Sequence, residues 1–591
     1  MRRVVGLGLV LYIVAGAPAR PAVSVVVTPA QANLPANGTQ QFAADVFGTT
    51  NKNVRWLVNG VAGGAPSIGV IPDAGLYTAP PDALQTLSVT VEAQPQAAPA
   101  APGSASVSVA AGLASGSSFY VATTGSDANL GTETAPWRTI QHAVDTVPAG
   151  ASILVESGVY NELVTITRSG SASAGFLTLT AAPGALPILD GTALRVPNGQ
   201  NGLVTINNAS WVRVKGFEIR NYVGHSAALV PIGVYVEGAG DHIEILSNHI
   251  HAITTTVTTS AGDALGLAVY GTSAPASINW LTIDGNQLDH LITGFSESLS
   301  LSGNVENWQV TGNLIHDNDN IGVNIEGFFG TAPDPQFDQA PRGLVAGNTV
   351  YSITSRNNPA YNDTLGADGL YVDGGTLVTL QNNLVHQADY GIELASENKG
   401  KATTWVWAHD NIVHHSQLSG VSLGGAAPRA NGGATDCFVA NNTLYENDTT
   451  RSGSGELQIQ YNASNNTIEN NIFSANGQGL LINAFAKGST PALLNDNLYF
   501  SPDGAMGSQW IWRGVSYGVF AKFQSATGED ARSKFANPQF ADAASGNFAI
   551  STGSPAVALG DIVSLTVNGL SDYAGAPRTL SGTIDAGALQ H

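Results

Sequence analysis

Nine asparagines recur in one setting, and this pattern restricts the possible folds more tightly than anything else in the chain. Asn248, Asn286, Asn313, Asn348, Asn383, Asn411, Asn442, Asn471 and Asn497 are each followed by an apolar-containing triplet, such as Leu-Ile-His after Asn313 or Leu-Val-His after Asn383. The intervals are 38, 27, 35, 35, 28, 31, 29 and 26 residues. At most of these sites an apolar residue stands three places earlier, as at Ile245, Ile283, Val310, Val345, Leu380, Val439, Ile468 and Leu494. An irregular period of this size describes coils of a solenoid with insertions at their corners. Asn tolerates the left-handed backbone of a tight turn and bonds neighbouring peptide groups, so a stack of them forms a ladder. A propeller or a sandwich does not place one Asn register on nine successive units. A parallel β-helix does.

Beyond each Asn lies a second strand of period two. Three of these strands read Gly322-Val323-Asn324-Ile325-Glu326, Gly369-Leu370-Tyr371-Val372-Asp373 and Gly391-Ile392-Glu393-Leu394-Ala395. Alternation sends Val323, Leu370 and Ile392 inward. Aligning all the coils gives two outward columns. One runs Tyr235, Ala268, Ser300, Asn324, Tyr371, Glu393, Ser422, Gln458; the other runs Glu237, Tyr270, Ser302, Glu326, Asp373, Ala395, Gly424, Gln460. Carboxylates concentrate in the middle coils, where the insertions at 327–343 and 351–368 are also longest. Long loops in a compact scaffold are usually functional, and these two are expected to wall a groove across the coils.

Three carboxylates on rungs about 4.8 Å apart resist joint ionisation, which suits acid–base chemistry. Hydrolysis of a glycosidic bond needs one protonated and one ionised carboxyl. Asp373 is assigned as nucleophile or base, Glu393 as acid, and Glu326 as the neighbour that raises a partner's pKa. The Asp373 and Glu393 Cα atoms are expected roughly 8 Å apart, which leaves retention and inversion both open. Tyr371, Trp308 and Tyr361 offer sugar-stacking surfaces. Asn324, Asp368, Glu397, Lys399, Arg342 and Asp338 complete the expected substrate-binding set. This chemistry requires no cofactor. The non-enzyme alternative is a surface adhesin that binds glycans without cutting them, although a uniform shaft would not need acids gathered in its middle.

Composition narrows the partners. The 591 residues carry a formal net charge of −21, with 11% charged residues and 68 glycines. Nucleic acid and anionic membrane surfaces are unsuitable partners for such a chain. An acidic polysaccharide would need a bridging cation or a local Lys/Arg cluster. Cys437 is the single cysteine, so no intrachain disulfide forms, and its inward position marks it as a small core residue. Arg2 and Arg3 precede an apolar run from Val4 to Val14 and small-residue cleavage sites, the pattern of a secretory signal peptide over residues 1–22. The mature protein is therefore expected outside a bacterial cell or on its surface, as a monomer not inserted in a membrane. His249, His251, His316, His386, His414 and His415 follow the Asn ladder and read as turn residues. The sequence holds no nucleotide-binding glycine fingerprint, His/Cys zinc set or nucleophile elbow.

Several stretches resemble known families. Residues 23–112 contain Val-Thr-Pro-Ala, Gly-Thr-Gln-Gln-Phe, Val-Arg-Trp-Leu-Val-Asn-Gly and Gly-Leu-Tyr-Thr-Ala-Pro. They resemble bacterial Ig-like modules, which implies a β-sandwich acting as a spacer. Tyr120-Val-Ala-Thr-Thr-Gly-Ser-Asp, Pro136-Trp-Arg-Thr-Ile-Gln-His-Ala-Val and Gly158-Val-Tyr resemble the opening of pectate-lyase-like right-handed parallel β-helices. The solenoid is placed at 117–500. A helix containing Ile140, Ala143, Val144 and Val147 covers its first coil, and Asp127 and Asn129 shape the turn before it. Residues 501–591 resemble the closing segment of secreted β-helix proteins and are expected to cap the far end. The likeness to pectate-lyase-like enzymes implies a rival chemistry. In β-elimination, Lys or Arg (Lys399, Lys401, Arg342 or Arg356) takes the proton beside a uronate, and Glu326, Asp373 and Glu393 hold calcium. Epimerisation at uronate C5 shares that first step. The Gly-Leu-Tyr-Val-Asp strand followed one coil later by Glu393 loosely resembles β-helix β-xylosidases, which implies an Asp nucleophile and a Glu acid/base.

Overall fold

The computed structural model describes residues 23–35, 38–80, 86–96, 102–109, 118–562, 565–578 and 583–591. The expected signal peptide lies outside them. The chain divides into two units, one ending at Ala111 and one over Gly112–His591 together with Ala65–Ser67. In the first unit, Leu87–Pro95 pairs antiparallel with Gly103–Val109 on one side and with Val54–Val58 on the other. Alternation along these strands turns Val89, Val91 and Val107 inward, onto Phe42, Trp56 and Tyr77.

The second unit is all-β. Among the described residues, successive coils give strands to three faces, the first of 15 strands and the others of 13 each, parallel apart from a final antiparallel hairpin of Gln509–Trp512 with Val515–Tyr517. One such coil runs Val305–Thr311, Leu314–Asn318, Val323–Glu326. Strand following strand in this way, with right-handed connections, makes a right-handed parallel β-helix. Its core is a stack of like residues: Ile245, Ile283, Val310, Val345 and Leu380 lie on successive rungs and are fully buried. The helix Ile140–Thr146 lays Ile140, Ala143 and Val144 over the first coil. The Asp127 carboxylate accepts the Arg138 and Thr139 N–H groups, which shapes the turn into that helix. At the other end, helix Phe520–Thr527 sets Phe520 and Phe523 on Trp510.

The nine asparagines form an unbroken ladder from Asn248 to Asn497. At Asn348, Oδ1 accepts the Asn313 N–H at 2.9 Å and Asn313 Nδ2 at 3.0 Å. Its own Nδ2 donates to Val310 O at 2.9 Å and to Asn383 Oδ1 at 3.0 Å. The expected reason for Asn needs correction. The left-handed residue is the one before it, as at Ser247, Gly285, Gly312, Gly347 and Asp410. The ladder Asn is fully buried, and it is there because its amide satisfies peptide groups that water cannot reach.

Three further expectations are corrected. The histidines after the ladder belong mostly to strands, and His316, Tyr351, His386 and His414 stack ring on ring at 4.8–4.9 Å on the outer surface. Only His415 of that set has left-handed backbone, with φ 55°. Coils also continue past residue 500, with strands Gln509–Trp512 and Lys534–Phe535. Finally, the segment beyond Asn537 does not close the end. It folds back along the Asn corner, where Asn382, Asn441 and Asn470 donate to the Asp572, Asp585 and Asp561 carbonyls. A buried Arg578–Asp410 ion pair pins it there.

Candidate active site

The third face brings together strands Leu299–Gly303, Val323–Glu326, Asp368–Asp373, Tyr390–Ala395 and Val421–Leu423. Their register sets Ser300, Asn324, Tyr371, Glu393 and Ser422 in one row. In the next row, Ser302 stands beside Glu326 and Asp373 beside Ala395. The Gly327 N–H donates to Asp373 O at 2.7 Å, which ties the Glu326 rung to that of Asp373. A glycine stands at the start of each of the three central strands, Gly322 just before the first and Gly369 and Gly391 second in the others, because the neighbouring coil packs too close for a Cβ. A Cβ on Gly369 would stand 2.4 Å from Val385 Cγ1, and one on Gly391 would stand 2.3 Å from Val413 Cγ1.

The acids are more numerous than the strand pattern suggests. Asp373 is 1% exposed, and its Oδ1 accepts the Glu397 N–H at 2.8 Å. Burial first, and the Glu397 charge second, hold its carboxyl well above the usual range. Glu393 accepts from Ser422 Oγ at 2.9 Å and from Gln460 Nε2 at 3.3 Å, and burial raises it to about 7. Asp368, 2% exposed, is likewise held well above the usual range, by burial first and by the neighbouring Glu393 carboxyl second. Glu326 accepts from Ser300 Oγ at 2.7 Å and is raised by burial to about 7. Glu297, on the turn before Leu299, takes a hydrogen bond from Asn324 and is raised by burial and by the Glu326 charge. Glu397 is exposed at the centre of the group. Among neighbouring charges it bears hardest on Asp373, Glu393 and Glu326.

This electrostatic arrangement has a consequence for stability. Carboxyls with a higher pKa folded than unfolded keep protons that the unfolded chain releases. Their contribution is complete below the unfolded value of 4.5 and is lost as pH rises through the folded values, about 7 for Glu326 and Glu393 and about 8 for the buried Glu456. The thermal unfolding midpoint is therefore expected to fall steadily from about pH 5 to about pH 8. Glu456→Gln, which removes one of these titrations, should flatten part of that fall in a pH series of melting curves.

Two loops border the acids. In the first, the Asp338 carboxylate accepts the Gly330 and Ala332 N–H groups at 2.6 and 3.0 Å. Phe328 lies there under Lys401 Nζ, 4.8 Å from its ring centre. In the second, the Asp389 carboxylate gathers the Ser355, Gly366 and Ala367 N–H groups. Tyr361 of that loop stacks on Phe295 at 5.2 Å, and Phe295 is 47% exposed. Aromatic rings thus flank the carboxyls at both ends of the strands. Tyr361 is among the residues expected from sequence; Phe295, Phe328 and Glu297 are not, since each lies outside the alternating strands.

Other expected residues stand elsewhere or do other work. Trp308 is not a sugar platform: it is 1% exposed in the core, and its indole N–H donates to Ala340 O. Tyr371 is also buried, packed with Ile321 and Ala395. Asp338 is spent on its own loop. Arg342 belongs to the first face, where it pairs with Glu306, away from the groove. Arg356 donates to Gln417 Oε1 at 2.9 Å. Lys399 is exposed on the loop after Glu393. Among the described residues no group of three His, Cys, Asp or Glu side chains is placed to hold a metal ion.

Residues 119–287 match a family model described as the Pel9A-like right-handed β-helix region, and residues 342–516 match one described as a right-handed β-helix region. The Bacillus subtilis protein YwoF is 35% identical over 442 residues, which cover 75% of this chain and 92% of YwoF. Pectate lyase PEL9 of Emericella nidulans is 33% identical over 148 residues, 23% of this chain and 32% of that one. The crystal structure of pectate lyase Pel9A aligns with a TM-score of 0.40 at 15% identity, over 81% of this chain and 98% of Pel9A. With likeness to YwoF over most of both chains, and a β-helix model matched in each half, the protein belongs to the family of YwoF, built on a right-handed parallel β-helix with a Pel9A-like region.

Proposed function

We propose that the protein cleaves glycosidic bonds of a polysaccharide by hydrolysis at the carboxyl cluster, outside the cell. What supports this reading is the Asp368–Glu393 pair, two neighbouring carboxyls that burial holds above the usual range, with the Glu397 charge acting on them and on Asp373. Glu393, the half-buried member, delivers a proton to the leaving oxygen, and Asp368 resupplies it. In its ionised form, with its proton given up to solvent, Asp373 attacks the anomeric carbon or activates water through Oδ2, while the Glu397 N–H holds Oδ1. The transition state of this reaction carries positive charge on the sugar ring. Carboxyls kept part-protonated by crowding ionise more readily as that charge develops, so they stabilise the transition state more than the ground state. Phe295, Tyr361 and Phe328 supply stacking faces beside them.

A second reading, β-elimination on a uronate, is favoured by the Pel9A-like match and by the identity to PEL9. It builds negative charge next to the carboxyls, which this cluster opposes, and its base would be Lys399 or Lys401. One assay separates the readings, using neutral polysaccharides and polyuronates as substrates. New reducing ends without near-ultraviolet absorbance are the expected result. An absorbing, unsaturated product would replace hydrolysis by elimination. Retention on the polysaccharide without any product would make the protein a binder.

A further inference from the structure

Over nine successive coils one residue in, or just before, the strand of the first face has left-handed backbone, and the register stacks these residues into a column. Trp211, His242 and Trp280 open it, with φ of 55°, 55° and 52°. Asn307, Arg342 and Leu377 continue it. Trp405, with φ 53°, is next, and Asp436 and Asn465 end the run. Asn and Asp enter this conformation at little cost, whereas a bulky side chain is an outlier there. Burial does not account for the tryptophans, because Trp280 is 54% exposed and Trp405 is 46% exposed. A strained residue kept with its ring in solvent points to something the ring does at the surface.

The two indoles are braced from opposite ends. Phe176, Trp211, His242 and Trp280 form a run of ring contacts at 5.2, 4.0 and 6.2 Å, which supports Trp280 on one side. Trp405 leans on Phe438 at 6.4 Å, on the far side of the column. The two tryptophans stand four rung spacings apart, about 19 Å at the spacing of parallel strands, a span of several sugar rings. The floor of that interval is Asn307, the Arg342–Glu306 ion pair and Leu377. An indole presents a flat apolar face to the C–H face of a pyranose, and amide, guanidinium and carboxylate groups match ring hydroxyls. Glu306 and the overall charge of −21 disfavour a uronate chain.

We infer that this corner is a second carbohydrate-binding surface, one that takes a neutral polysaccharide chain along the helix axis on Trp280 and Trp405. It lies on a different face from the carboxyl cluster and holds substrate without reacting with it. The test is affinity electrophoresis in gels containing mixed-linkage β-glucan, arabinoxylan or galactomannan, with polygalacturonate as the anionic control. The protein carries Asp373→Asn throughout so that the gel is not digested. Retardation is expected in at least one neutral gel, and Trp280→Asn with Trp405→Asn should weaken it at least tenfold. Because Asn suits the left-handed backbone, the double variant should melt at the same temperature or higher, which separates lost binding from lost fold. Without the Asp373 change, it should cleave a short oligosaccharide as well as the parent does. Absence of retardation in every neutral gel, or retardation unchanged in the double variant, would overturn the inference. So would binding to polygalacturonate alone, or a dimer in light scattering that the double variant converts to monomer. Binding can be read even if no polysaccharide is cleaved, so this inference and the proposed hydrolysis fail separately.

Discussion

Asp373→Asn is expected to reduce polysaccharide cleavage about 10³-fold, within the range found when a positioned acid–base group is removed. The substitution keeps the shape of the side chain, and its amide oxygen still accepts the Glu397 N–H that holds Oδ1 now. What it removes is a carboxyl 1% exposed and crowded by Glu397, Glu326 and Glu393. The unfolding midpoint should therefore stay level or rise while the rate collapses. Glu393→Gln should show the same separation, with its loss greatest on the acid side of the pH–rate profile, where the wild-type Asp368–Glu393 pair holds its proton, and smallest on the alkaline limb, where that proton is already gone. An Asp373→Asn protein that cleaves within tenfold of the parent rate would remove this residue from the chemistry. One that fails to fold would show instead that the carboxyl is structural.

Asn348→Leu is expected to cost about 4 kcal/mol of stability, measured by chemical denaturation, because each buried polar group left unpaired costs about 1–3 kcal/mol. Leucine is close to asparagine in size, so the loss is not one of packing. It strands the Asn313 N–H and one of the two Asn313 Nδ2 hydrogens, and it takes a donor from Val310 O, all buried at the corner. The adjacent Gly347 provides the contrast. It has φ 65° and nothing within 4 Å of a Cβ built on it. Gly347→Asn should therefore be close to neutral, since Asn and Asp already occupy the equivalent place at residues 382, 410, 441, 470 and 496. A loss below about 1 kcal/mol for Asn348→Leu would mean that water replaces the ladder, contrary to the burial seen here.

The outer columns were legible before any coordinates, because a strand alternates with period two and the ladder asparagine gives each coil a common origin. Those two local facts are enough to set Glu326, Asp373 and Glu393 on neighbouring rungs. The role of the ladder asparagine itself was less legible. Spacing marks a corner but does not say which residue turns and which one bonds.

What the sequence determined by itself is the solenoid, its register and the side on which the acids stand, since all three follow from short-range periodicity repeated coil by coil. Only the tertiary structure decided that Glu297 and Asp368 join the cluster, that Trp308 is core, that Arg342 pairs with Glu306 on another face, and that the C-terminal segment folds back along the Asn corner. Insertions of irregular length break the period at every corner, so the path of each loop is chosen by long-range packing and by which buried polar groups it satisfies. No local pattern carries that information.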